Sequence, residues 1–226
     1  MSIASELRQR LTGAGVAAIL CDPLAAYGQA LLETNRRMNL TGAESAEELL
    51  PHLLDSLSIA SYVRDSLVDV GSGGGLPAIP LAIATGVPVT MIESTAKKAA
   101  FLTEMLAALG LPGRVVAHRA ETAGHDHELR GRFTTGTARA VSSAPAVVEL
   151  LLPFLAPGGV AILQRGTVND RERNALADAA PMLGGEVAQE IPLDGERRII
   201  LVRKLQATPD RFPRRIGVPE KRPLCL

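Results

Sequence analysis

Leu67-Val68-Asp69-Val70-Gly71-Ser72-Gly73-Gly74-Gly75-Leu76 decides how this chain is read. A short apolar strand, Leu67 to Val70, runs into a loop with four glycines, and a helix is expected from near Pro77. Glycine reaches positive φ without steric cost and lets a ligand approach main-chain N–H groups closely. The N-terminus of the following helix adds partial positive charge suited to a carboxylate or phosphate. A glycine-rich turn can also do no more than join a strand to a helix. Against that stands a second apolar strand, Val87-Pro88-Val89-Thr90-Met91-Ile92-Glu93, which ends in a carboxylate. Glu93 follows Gly71 by 22 positions, close to the ~20-residue offset at which an acid meets ribose hydroxyls.

A ribose is common to nicotinamide cofactors and S-adenosylmethionine, so the glycines must separate the two. A dinucleotide fingerprint requires glycine at its first, third and sixth positions. Those positions are Gly71, Gly73 and Leu76, so the last glycine is missing. What remains, acid-x-Gly-x-Gly-x-Gly, resembles motif I of S-adenosylmethionine-dependent methyltransferases, whose loop curls under the amino-acid end of the cofactor.

At 226 residues the chain fits one large domain, or a domain with a helical extension. Its hydrophobic share of 46% and charged share of 21% are ordinary for a globular protein with a real core. With aromatics at 3%, that core must be built from Ala, Leu, Val and Ile. A formal net charge of zero argues against a surface coated in positive charge but allows a local basic patch. Cys21 and Cys225 make neither a metal spacing nor a disulfide framework, which points to a reducing cytoplasm. No signal peptide or membrane span is expected.

The first third reads as helices. Asp22-Pro23 predicts an N-cap followed by proline, opening a helix through about Arg37, with Leu24, Tyr27, Leu31 and Met38 on its apolar side. A second helix is expected over 46–63, after a turn at Asn39-Leu40-Thr41-Gly42. From Leu67 onward strands and helices alternate: strands at 67–70, 87–92, 114–118, 133–139, 158–164, 185–191 and 197–203, helices near 77–85, 96–109, 143–155 and 169–182. This alternation implies a parallel sheet covered on both faces. The short Leu193-Asp194-Gly195-Glu196 turn predicts a terminal antiparallel hairpin. The expected fold is α/β: the Rossmann-like seven-stranded, mostly parallel sheet of a class I methyltransferase with an antiparallel edge hairpin. The expected parts are an N-terminal helical extension (1–65), a core (66–204) and a proline-rich basic arm (205–226).

From Arg203 onward, seven basic residues stand against Asp210 and Glu220, about net +5. Pro209, Pro213, Pro219 and Pro223 preclude a long regular helix. Such a run is either a solvated tail or an arm holding nucleic-acid phosphates.

Further segments point in one direction. Asn39-Leu40-Thr41, His52-Leu53-Leu54-Asp55-Ser56-Leu57, Gly75-Leu76-Pro77-Ala78-Ile79-Pro80-Leu81, Glu93-Ser94 with Lys97-Lys98, Arg119 with Glu121, and Arg139-Ala140 occur in order. Together with the glycine loop and the basic ending they resemble the bacterial 16S ribosomal RNA guanine-N7 methyltransferases, the glucose-inhibited division protein B family, over nearly the whole chain. Two departures are Thr34, where the family often has tryptophan, and Ala78, where it usually has glycine; neither removes a group the chemistry needs.

The resemblance implies methyl transfer from S-adenosylmethionine to N7 of one guanine of the small-subunit rRNA (guanine 527 in the usual count). It implies a cytoplasmic enzyme, taken as a monomer without a stable protein partner, acting on 16S rRNA or the small ribosomal subunit. By position Gly71 and Leu76 line the cofactor, Glu93 its ribose, Ala120 and Glu121 its adenine, and Arg139 the far side of the pocket. Asp69, Ser72, Gly73, Gly75 and Ser94 complete the expected cofactor set. Expected RNA contacts are Arg36, Arg37, Lys97, Lys98, Arg139, Arg165, Arg197, Arg214, Arg215, Lys221 and Arg222.

The chemistry agrees. Methylating an exocyclic base amine usually goes with an Asn/Asp-Pro-Pro-aromatic motif after the fourth strand, where this chain reads Arg139-Ala140-Val141-Ser142-Ser143. Cytosine C5 methylation needs a cysteine nucleophile, and neither cysteine follows a central strand. Guanine N7 has an in-plane lone pair and loses no proton on attack, so proximity and in-line orientation suffice, and no acid–base catalyst is assigned. Arg139, at a central strand end, faces the ligand crevice of such sheets. It can pair with the cofactor carboxylate, an RNA phosphate or guanine O6, or sit in a structural ion pair with Glu121 or Asp69. His52 and Asp55 share a helix face and are expected to bond helix to sheet. His118, His125 and His127 read as surface residues. The competing functions are a nicotinamide oxidoreductase, a non-enzymatic RNA or membrane module, and a methyltransferase for another RNA, a protein or a small molecule.

Overall fold

Every expected strand forms. The computed structural model describes residues 2–139, 142–193 and 195–226. Ala140 and Val141 of the segment after the fourth strand, and Asp194 of the hairpin turn, lie outside the described residues. The strands are β1 (Leu67–Val70), β2 (Val89–Ile92), β3 (Gly113–Val116), β4 (Phe133–Ala138), β5 (Leu155–Arg165), β6 (Gly185–Pro192) and β7 (Arg198–Lys204). They form one sheet in the order β3-β2-β1-β4-β5-β7-β6. The pairs from β3 to β5 are parallel, and β7 runs antiparallel to both β5 and β6. The chain winds outward from β1 to β3, then returns to place β4 on the other side of β1. That reversal opens a crevice at the carboxyl ends of β1 and β4, where open α/β sheets bind ligands.

Strand periodicity builds a separate core on each face. Leu67, Met91, Ile162, Ile199 and Leu201 pack into one cluster; Val68, Val70, Ile92, Leu163, Ile200 and Val202 pack into the other. Neighbours in sequence point to opposite faces because the side-chain period of a strand is two. The first face lies under the N-terminal helices α1 (Ile3–Gly13), α2 (Ala18–Asn35) and α3 (Ala46–Leu57), and under α4 (Ala78–Thr85) and α5 (Ala96–Ala108). The second is covered by α6 (Ala120–Ala123), α7 (Ala144–Leu151), α8 (Asp170–Met182) and the segment carrying α9 (Val218–Lys221).

Three boundaries differ from expectation, the first being α3, which ends at Leu57 rather than at 63. Helix α2 begins at Ala18, and Pro23 lies inside it rather than after a cap. Burial of Cys21 and Leu24 continues across the proline, and that packing outweighs the lost backbone bond. Asp22 instead pairs with Arg8 of α1 at 2.8 Å. Helix α7 stops at Leu151, and a 3-10 turn through Pro153 feeds straight into β5, since the proline has no amide to make the next helical bond. Helices α1 and α6 were not anticipated.

The ending is corrected as well. Residues 205–226 are not an extended arm: Phe212 and Leu224 are buried in the second core. Arg130 donates to the carbonyls of Thr208, Pro209 and Phe212. Among the described residues no helix is long and apolar enough to cross a membrane.

Candidate active site

The glycine loop is held from three sides. Gly71, Gly73 and Gly75 have φ of 71°, 53° and 97°, the left-handed region in which only glycine is unstrained. The amides of Gly71 and Ser72 both donate to the Ile92 carbonyl, at 2.9 and 3.2 Å, tying the loop to the end of β2. The fully buried hydroxyl of Tyr27, on α2, donates to the Gly74 carbonyl at 2.8 Å. A Cβ on Gly74 would meet Leu31 Cδ1 at 2.8 Å, and one on Gly75 would meet Ile79 Cδ1 at 2.6 Å. A Cβ on Gly73 would find nothing closer than 3.8 Å. The loop is therefore packed underneath and open above.

Asp69 sits beneath it, 1% exposed. One carboxylate oxygen accepts from Thr137 Oγ1 at 2.8 Å, and the other has no protein partner. Burial pushes its pKa up to about 7, against the opposing pull of the Ser72 and Thr137 bonds and of Arg139. Glu93 is also buried, and its two oxygens accept from the Gly73 amide at 2.9 Å and the Thr95 amide at 2.7 Å.

Two cavities meet at Gly71. The smaller, of about 90 Å³, is lined by Val70, Glu93, Ser94, His118, Arg119, Ala120, Glu121 and Glu220 among others. It collects the residues expected around ribose and adenine. The larger is an open cleft of about 950 Å³ between the loop, α3 and the ends of β5 and β7. Gly71, Ser72, Gly73, Leu76, Arg139, Arg165, Arg197 and Arg198 line it, with His52, Asp55 and Gln164.

Arg139 is oriented by a residue outside the expected sets. Its Nη1 lies 3.4 Å from Asp55 Oδ2, and Arg197 Nη1 lies 3.3 Å from Asp55 Oδ1. Gln164 Nε2 donates to the Asp55 backbone carbonyl at 2.6 Å. The alternative of a structural ion pair for Arg139 is realised with a different acid: the partner is Asp55 rather than Glu121 or Asp69. The reason is strand parity, since Thr135, Thr137 and Arg139 share the face that α3 covers. The expected link between this helix and the sheet does form, through Asp55 rather than His52. His52 is held below the usual imidazole range by burial and then by Arg139, with Asp55 opposing.

The expected RNA contacts divide. Arg139, Arg165 and Arg197 come together at the cleft. Arg165 also holds Glu172 at 2.8 Å and the Ser142 carbonyl at 2.5 Å. Arg36, Arg37 and Lys97 are exposed, Lys98 half-buried, and none lines the cleft. Arg215, Lys221 and Arg222 are exposed on the tail. Arg214 is a correction. Its guanidinium grips the fully buried Glu149, Nη2–Oε2 at 2.6 Å and Nε–Oε1 at 2.8 Å, so its charge belongs to the core. Sequence reading missed Tyr27, Thr137, Gln164 and Arg198. Polar residues inside otherwise apolar strands were the available signal for Thr137 and Gln164.

S-adenosylmethionine fits the residues present. The orphaned Asp69 oxygen, the open side of Gly73, and the acid-lined small cavity joined to the wide cleft through Gly71 together suit a nucleoside carrying a charged amino-acid tail.

Comparison with known proteins agrees. The GidB family profile, described as rRNA small subunit methyltransferase G, matches residues 20–200. A protein of Deinococcus deserti named ribosomal RNA small subunit methyltransferase G is 40% identical over 224 residues, covering 94% of this chain and 91% of that one. One of the same name from Halalkalibacterium halodurans is 37% identical over 234 residues, covering 97% and 98%. Among solved structures, an O-methyltransferase of Bacillus cereus in complex with SAH superposes with a TM-score of 0.56 at 21% identity, covering 79% of this chain and 91% of that one. Geranyl diphosphate C-methyltransferase of Streptomyces coelicolor A3(2) gives 0.54 at 15%, covering 70% and 79%. The last two speak for the fold alone: the class I methyltransferase sheet.

Proposed function

The chain belongs to the rRNA small subunit methyltransferase G family, and from that premise we propose that it methylates N7 of a single guanine, guanine 527 in the usual count, of 16S rRNA. It is an S-adenosylmethionine-dependent methyltransferase acting on small-subunit rRNA, which sets aside the nicotinamide alternative. The observation that carries the finer reading is the cleft of about 950 Å³, where the glycine loop faces Arg139, Arg165, Arg197 and Arg198. A basic, wide opening beside a smaller acid-lined cavity suits a polyanion whose one base must enter.

When bound, the cofactor supplies an electrophilic methyl group. The chain's residues do the holding. The loop amides and the α4 N-terminus offer hydrogen bonds and partial positive charge to the amino-acid end. Glu93, with Gly73 and Thr95 on its oxygens, retains lone pairs for the ribose hydroxyls. The cleft arginines grip phosphate in two-pronged fashion and bring the base in line. N7 surrenders no proton, so the reading assigns no general base. It also takes the chain as a cytoplasmic monomer without a stable protein partner; no helix among the described residues is suited to cross a membrane.

The test is transfer of labelled methyl to small-subunit particles from a strain lacking this protein, followed by mapping of the nucleotide. Label on a guanine N7 supports the reading. Label on another atom or another base overturns it, and sedimentation of the purified chain as a dimer overturns the monomer.

A further inference from the structure

We propose that the segment from Thr208 to Leu224 is a strap that completes the adenosine pocket, with Glu220 as its outer wall and the Gly217 amide setting the Glu121 carboxylate. This rests on the cofactor reading of the small cavity.

Three observations carry it. First, the lining of that cavity is not finished by the sheet and its crossovers: Glu220 of α9 lines it beside Glu93, Ala120 and Glu121. Second, the Gly217 amide donates to Glu121 Oε1 at 2.7 Å. Glu121 stands in α6, a helix of only four residues, too short to hold itself in place. The strap supports that helix twice more, through His125 Nε2 and the Pro213 carbonyl at 2.8 Å, and through Gly124, whose Cβ would strike Pro213 Cγ at 2.7 Å. Third, the strap is anchored where a loose arm would be free. Arg214 forks onto buried Glu149, and Lys204 Nζ donates to the Leu183 carbonyl at 2.9 Å beside a bond to Thr208.

The basic count of this segment therefore has two parts. Lys204 and Arg214 are internal partners, while Arg215, Lys221 and Arg222 face solvent. A segment bonded to the pocket-forming helix contributes to cofactor affinity whether or not those exposed bases touch RNA.

The experiment is calorimetric titration with S-adenosylhomocysteine of three proteins: the full chain, a chain ending at Arg215, and the full chain carrying Glu220→Ala at an exposed position. Thermal melts of each report folding, and binding to a 16S rRNA fragment is measured alongside. Loss of one charged hydrogen bond and one wall predicts roughly tenfold weaker binding for the truncation and about threefold for Glu220→Ala. A folded truncation with the affinity of the full chain overturns the strap. Where the truncation does not fold, unchanged affinity in Glu220→Ala overturns it. Weakened RNA binding with intact cofactor binding assigns the segment to RNA instead. A full chain that does not bind S-adenosylhomocysteine refutes the cofactor reading itself.

Discussion

Asp55 Oδ2 stands 3.4 Å from Nη1 of Arg139, joining α3 to the end of β4 across 84 positions of sequence. Its second oxygen reaches Arg197 at 3.3 Å. One carboxylate thus holds two guanidinium groups that would otherwise repel one another at the mouth of the cleft. Both Asp55 and Arg139 are under 20% exposed, at 17% and 18%, so solvent screens this pair less than a surface one.

Asp55→Asn keeps the shape and removes the charge. It is expected to lower kcat/KM for the rRNA substrate by about tenfold or more, the equivalent of about 1.4 kcal/mol of lost orientation. S-adenosylhomocysteine affinity should stay within about twofold. Steady-state kinetics with calorimetry checks both, and an equal loss in the two quantities would mean that Asp55 merely supports the fold.

Gly71→Asp puts a side chain on a φ of 71° and a negative charge where the cofactor's carboxylate is expected. Strain and repulsion together predict at least about 100-fold weaker cofactor binding. Titration at unchanged circular dichroism measures it; ordinary affinity would refute the loop assignment.

Asp69 carries a pH signature. Its pKa is raised from 3.8 to about 7 in the folded chain. Between those values the folded state keeps a proton that the unfolded state has lost, so stability falls as pH rises through that window and levels off above it. Asp69→Asn abolishes the fall, giving a variant-minus-parent stability difference that grows by up to about 4 kcal/mol from pH 4 to pH 7. Urea denaturation at several pH values reports it, and a pH-independent difference would rule out the raised value.

Lys204 runs the other way. Burial, then the Arg130 charge, brings its ammonium down from 10.5 to about 7. Between pH 7 and 10.5 the unfolded state binds the extra proton, so this contribution to stability rises with pH. Against Lys204→Met, the parent should gain stability over that interval, by at most about 1.4 kcal/mol for each pH step of one. A parent that loses ground to the variant above pH 7 would contradict the lowered value.

Much of the site was legible because its signals are local. A short apolar strand buried along its whole length, an acid before a glycine loop and a second acid 22 positions on are all set by neighbours in sequence, and Glu93 bonds to Gly73 across just 20 positions. The boundary at Pro23 was misread for the opposite reason. A local rule against proline in a helix was outweighed by the packing of Cys21 and Leu24, which no short window contains.

The charges show the same division. Lysine and arginine residues can be counted along a chain, but their partners cannot be read from the count. Arg214 is held inside the core by Glu149, 65 positions away, and Arg139 pairs with Asp55 rather than with Glu121 or Asp69.

By itself, then, the amino-acid sequence determined the alternation of strands and helices and the glycine bend, because dihedral preference and side-chain period act between near neighbours, while the class of reaction was implied by the resemblance its motifs carry. Only the tertiary structure decided which arginines remain at the cleft, which acid steadies them and whether the ending is loose or packed against the core. Desolvation and ion pairing depend on groups brought together from distant parts of the chain, and that proximity exists only once the two cores have closed on the sheet.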